Sequence, residues 1–128
     1  MVSMANYRRG FTLIELMVVM AIIATLLSIV APRYFDHLDR ARESALNETL
    51  NVVRDAIDKY YADTEAYPEK LDDLVTQRYL RKLPVDPLTD AADTWIIVPP
   101  PPGSRGQVYD LHSGAAGNGR DGRPFAEW

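Results

Sequence analysis

From Leu16 to Ala31 every position is apolar except Thr25 and Ser28, and neither of those carries a charge. As a helix this run measures about 24 Å. Counted from Phe11, with Glu15 inside it, it reaches about 31 Å, enough to cross a hydrocarbon core of ~30 Å. Such a crossing requires Glu15 to lie near one edge, because a carboxylate at mid-bilayer costs at least ~3 kcal/mol. Pro32 follows the run. It has no amide hydrogen to give the Ser28 carbonyl, and its ring clashes with that turn, which predicts a kink.

Beyond Pro32 the pattern changes from uniformly apolar to periodic. Leu38, Ala41, Ala45, Val52 or Val53, Ala56 or Ile57 and Tyr60 recur at spacings of three and four. Asp39, Arg40, Arg42, Glu43, Glu48, Arg54 and Asp58 fall on other faces, so the stretch reads as an amphipathic helix. From Phe11 to Tyr61 the two halves make about 77 Å of helix, too long for a lone small domain. The helical pattern breaks over residues 62–66 and resumes with Leu71, Leu74 and Val75 as a short second helix, which Pro84 and Pro87 close off. Residues 94–98 (TWIIV) and 107–112 (QVYDLH) read as strands, joined through a stiff run of prolines at 99–102. A glycine-rich tail follows.

Composition narrows the functional classes. At 128 residues there is room for one domain and an appendage. There is no cysteine, hence neither a disulfide nor a thiolate metal site. The net charge is −4, and no basic cluster exists beyond Arg8 and Arg9, so nothing favours nucleic acid as a partner. Those two arginines directly precede Gly10 and mark the cytoplasmic edge of the apolar segment. Three readings of the segment compete: a plain single-pass anchor with Glu15 at the interface, a secretory signal peptide, and a third that rests on the exact string. The signal peptide is weakened by a carboxylate early in the apolar region and by large Ile29 before Ala31.

Gly10-Phe11-Thr12-Leu13-Ile14-Glu15, after two arginines and before an apolar helix, resembles the class III signal of type IV pilins and pseudopilins. The resemblance implies that a prepilin peptidase cuts between Gly10 and Phe11 and that Phe11 becomes the N-methylated first residue. It divides the chain into a leader (1–10), a transmembrane and assembly helix (11–31), an amphipathic helix (32–62) and a small α/β region (63–128). It also gives Glu15 a purpose. A carboxylate and the new Phe11 amine are each costly among packed apolar helices and much less costly as a pair. A Glu15 that meets the amine of a neighbouring subunit would set the register of a filament.

Further along, Asp63 with Tyr67-Pro68, then Tyr79-Leu80, Leu83-Pro84, Asp86-Pro87 and a glycine-rich tail look like the major pseudopilin of type II secretion. Two positions depart from that pattern: Thr64-Glu65-Ala66 replace the glycine usual before the Tyr-Pro pair, and Leu88 stands where a tryptophan is usual. The implied fold is α+β and pilin-like. A long kinked N-terminal helix, its hydrophobic half protruding, packs on a small domain with a short antiparallel sheet and a glycine-rich C-terminal loop. The implied protein is a structural subunit and no enzyme. It crosses the bacterial inner membrane once, with its N-terminus cytoplasmic and its C-terminal domain periplasmic. Its partners would be further copies of itself, the prepilin peptidase, minor pseudopilins, the inner-membrane assembly platform and the lipid bilayer. A type IV pilin or minor pilin, for adhesion, motility or DNA uptake, and a membrane-anchored binding domain are the alternatives.

Candidate chemistry is sparse. His37 and His112 are the only imidazoles, and neither has a serine, acid or second ligand at catalytic spacing. Residues 117–122 match G-x-G-x-x-G after a strand, but the short tail beyond contains Pro124 and leaves no room for the helix a dinucleotide site needs. The glycine-rich loop is better suited to a hard cation, whose several oxygen ligands sit readily on a flexible turn. The family resemblance implies calcium, with Ser113 and Asp121 as ligands and Asn118 as a neutral oxygen donor in place of the acid missing at Ala115-Ala116.

Overall fold

The apolar run and the amphipathic stripe form a single element, α1 (Leu13–Thr64), 52 residues with Pro32 carried inside. The computed structural model describes residues 9–128, so Arg8 and most of the expected leader lie outside the described residues. After α1 come α2 (Leu71–Thr76), β1 (Ile96–Val98), β2 (Asp110–His112) and a final 3-10 turn at Phe125–Glu127. The chain divides into two units, Met1–Leu38 and Asp39–Trp128.

In the first unit every residue from Arg9 to His37 is exposed, including Leu13, Ile14, Ile22, Leu26 and Val30. The most apolar window of α1 has a mean hydropathy of 2.7. Among the described residues this is the one helix long and apolar enough to cross a membrane. Its two polar side chains are satisfied within the helix. Thr25 Oγ1 donates to the Ala21 carbonyl and Ser28 Oγ to the Ala24 carbonyl, both at 2.8 Å. That removes the cost of bare hydroxyls in an apolar medium.

The second unit is built around Leu46, Leu50, Val53, Ala56 and Ile57 of α1, packed with Leu74, Trp95, Val108, Leu111 and Trp128. The buried line therefore differs from the expected stripe in its first turns. Ala41 and Ala45 are exposed, and Leu46 and Leu50 take the inward face. The larger side chains win because they remove more apolar area from water. Val53 rather than Val52 faces inward.

β1 and β2 pair antiparallel, with Ile96 opposite His112, Ile97 opposite Leu111 and Val98 opposite Asp110. Each strand is shorter than its apolar run. Gln107 and Val108 turn their amides to the Pro68 carbonyl, at 3.0 and 2.9 Å, and so do not extend the ladder with β1. This docking explains the Tyr67-Pro68 pair. The Tyr67 amide donates to the Arg105 carbonyl at 2.8 Å, and Gly106, at φ +101°, lies so close that a Cβ would overlap the Tyr67 carbonyl. Tyr67 also stacks on Tyr61 (4.6 Å between centroids) and meets Tyr109 edge-on (5.2 Å). Nearby, the Tyr79 hydroxyl donates to Asp63 Oδ2 at 2.6 Å. Four elements of the quoted pattern (Asp63, Tyr67, Pro68 and Tyr79) thus fasten the end of α1 to the segments that follow it.

Candidate functional site

The helix start is the first candidate. α1 begins at Leu13, two residues later than Phe11, and Thr12 and Glu15 close a reciprocal cap. The Glu15 amide donates to Thr12 Oγ1 at 3.2 Å, and the Thr12 amide donates to Glu15 Oε2 at 3.1 Å. This is the Thr-x-x-Glu capping box, which satisfies two amides that a helix N-terminus leaves without partners. The carboxylate also lies in the first turn, where the helix dipole favours negative charge. Its signature is local, the four residues Thr12-Leu13-Ile14-Glu15, and was not among the expected features. Glu15 is therefore held by Thr12 of its own chain.

Gly10 and Phe11 precede this cap. Phe11 is 95% exposed. A Cβ built on Gly10 would meet open space, and Gly10 is absent from the glycines at positive φ. Among the described residues nothing thus requires glycine at position 10.

The loop after β2 is the second candidate, and its oxygen atoms are already engaged. Ser113 is fully buried, donates to Asp86 Oδ2 at 2.5 Å and accepts from the Ala115 amide at 3.2 Å. Asp121 receives the Arg123 amide on Oδ1 at 3.0 Å and Arg123 Nε on Oδ2 at 2.7 Å. Arg123, mainly through its side-chain hydrogen bond, holds the Asp121 carboxyl below its ordinary range. Asn118 is exposed and bridges Pro124 through the backbone. Among the described residues no group of three His, Cys, Asp or Glu side chains gathers. So placed, the carboxylate of Asp121 is paired with Arg123 and the Ser113 hydroxyl with Asp86, and Asn118 stands apart from both on the exposed turn.

Two residues outside the expected set organise the region. Asp86 is fully buried and accepts on both carboxyl oxygens, from Ser113 and, at 2.8 Å, from the Leu88 amide. Arg54, placed by its sequence among solvated charges, is half-buried. It donates to Asp110 Oδ1 (2.7 Å), the Leu111 carbonyl (3.1 Å) and the Trp128 carbonyl (2.8 Å). His112 likewise contacts the Trp128 carbonyl through Nδ1, at 2.5 Å, a structural position. No local signal marks the long-range contacts: His112 lies 16 residues from Trp128, Asp86 27 from Ser113, and Arg54 56 to 74 from its three acceptors.

A long exposed apolar helix, capped at a Gly-Phe-Thr-x-x-Glu start, and a small domain with a two-stranded antiparallel sheet define an α+β pilin-like protein. Residues 1–31 match the family model described as the prokaryotic N-terminal methylation motif. The chain is 32% identical to the type II secretion system core protein G of Klebsiella michiganensis, over 91% of this chain and 87% of that protein. It is 33% identical to the protein of the same description from Pseudomonas aeruginosa, over 88% and 86%. A type IV major pilin protein, PilE1 of Neisseria gonorrhoeae, is 36% identical but over only 52% of this chain and 40% of its own. No solved structure matches significantly. The chain belongs to the family of type II secretion system core protein G, the major pseudopilins.

Proposed function

We propose that this chain is the filament-forming subunit of a type II secretion pseudopilus and that its role is structural. In this reading α1 inserts once into the bacterial inner membrane, with Arg8 and Arg9 holding its start on the cytoplasmic side and residues 39–128 in the periplasm. A prepilin peptidase cuts between Gly10 and Phe11. The freed subunits pack through their apolar helices, each Glu15 meeting the Phe11 amine of a neighbour, on an assembly platform shared with minor pseudopilins.

The observation that carries the processing step is Gly10. With open space at its Cβ and no positive φ among the described residues, glycine there is free to serve recognition by the peptidase rather than folding. Burial carries the assembly step. From Arg9 to His37 nothing among the described residues covers the apolar side chains, and such a surface requires lipid or other helices around it.

Intact-mass measurement on protein made in a host with the peptidase tests the reading. The mature chain should begin at N-methylated Phe11, and Gly10→Val should stay uncut while still inserting in the membrane. A mature mass that begins elsewhere would contradict it.

A further inference from the structure

We propose that the loop between β2 and Trp128 is folded by two guanidinium groups of this chain, Arg54 and Arg123, and takes no divalent cation. A glycine-rich loop has little side-chain packing to fix it, so its acceptor oxygens need a centre of positive charge or donors to converge on. Arg54 supplies the outer clamp. From α1 it reaches Leu111 in the strand that leads into the loop and Trp128 at the loop's end, together with the Asp110 carboxylate. A planar fork with several fixed donors can serve three acceptors at once, which a lysine ammonium on a flexible stem does poorly.

Arg123 supplies the inner one. It closes on both oxygens of Asp121, one through its backbone amide and one through Nε, and its guanidinium lies 5.8 Å from the centroid of the Trp128 ring. That ring also packs on Phe125, at 5.3 Å, and on Gly119, where a Cβ would overlap it. Both arginines thus converge on Trp128, one at its carbonyl and one at its indole. The carboxylate a metal would need is occupied by Arg123, and the serine beside the loop is turned to Asp86. A fixed internal cation makes the folded loop independent of the divalent ions around it.

The test uses the full chain in detergent micelles, with Trp95 and Trp128 as fluorescent reporters of melting. The reading is of the fold alone, so its result is separate from whether the protein forms filaments. Wild-type melts in millimolar calcium and in chelator should coincide. Arg54→Gln should lower the melting temperature by several degrees, Arg123→Gln by less, and calcium should restore neither. A wild-type melting temperature that rises with calcium overturns the proposal, and so does an unchanged melting temperature in both variants.

Discussion

Removing the Asp86 carboxyl is the sharpest perturbation the second unit offers. Asp86→Ala takes away the acceptor of two donors. The Ser113 hydroxyl is fully buried, and stranding a buried donor costs about 1–3 kcal/mol. The Leu88 amide, in a half-buried turn, is easier for water to reach and adds about 1 kcal/mol. The same turn is held by the Asp86 amide on the Ala91 carbonyl and the Asp90 amide on the Asp86 carbonyl, which an alanine keeps. Some of the loss is returned because the variant no longer buries a carboxyl. The net expectation is a loss of about 1–3 kcal/mol, a fall in melting temperature of about 5–20 °C for a unit of this size. Asp86→Asn retains an oxygen for Leu88 and a polar group for Ser113, so it should cost clearly less. Trp95, whose Nε1 donates to the Pro84 carbonyl at 2.9 Å, stands beside the site and reports the melt by fluorescence. An alanine variant that melts with the wild type would refute the view that this carboxyl ties residues 86–91 to the end of β2.

Other outcomes follow from single contacts. Gly106→Ala places a methyl against the Tyr67 carbonyl at a positive φ, so it should destabilise by more than about 1 kcal/mol, whereas Gly103→Ala, strained at φ +92° but with open space at its Cβ, should cost less by thermal melt. The hydrogen bond to Asp63, with burial behind it, holds the Tyr79 phenol above its ordinary value of 10.0. Because the folded value is the higher one, the contact's contribution is complete below about pH 10 and lost as pH rises through the raised value. Ultraviolet titration of tyrosinate should show late-ionising phenols, Tyr67 among them by burial, and one fewer in Tyr79→Phe. Asp121 works in the opposite sense: its contribution is present above the ordinary 3.8 and fades as pH falls through its lowered folded value, an acid-side loss that Arg123→Gln should reduce in melts across pH, the backbone amide of residue 123 keeping the rest.

Periodicity and turn chemistry are local, and they were readable. The apolar run, the amphipathic helix, the short α2 around Leu71 and Leu74, and both strands all appear near their expected places. What failed was the choice among neighbours on one face. Alanines at 41 and 45 fit the spacing as well as Leu46 and Leu50 do, and only packing separates them. The strands came out short because Gln107 and Val108 answer to Pro68, a partner some forty residues back that no window of sequence contains. The same distance hid the roles of Arg54, Asp86 and Ser113, whose charges and hydroxyl look alike on paper whether solvated or buried. At the helix start the reverse holds. The Thr12–Glu15 cap was written within four residues, and attention to the membrane cost of Glu15 concealed its local use.

That cap also determines the most direct test of assembly. An alanine at Glu15 removes both the helix cap and the charge, so a failure to polymerise would have two explanations. Glu15→Gln separates them, because glutamine can still accept from the Thr12 amide in a capping box but cannot neutralise an amine. Breaking one partner of a buried ion pair costs about 3–5 kcal/mol, repeated at every subunit contact, whereas a monomer in the bilayer can keep its amine at the interface. Filaments should be counted by electron microscopy after overproduction with the assembly machinery. Glu15→Gln should be cut after Gly10, inserted and folded, yet yield no filaments. Wild-type numbers of filaments from this variant would contradict the pairing of Glu15 with a neighbouring Phe11 amine.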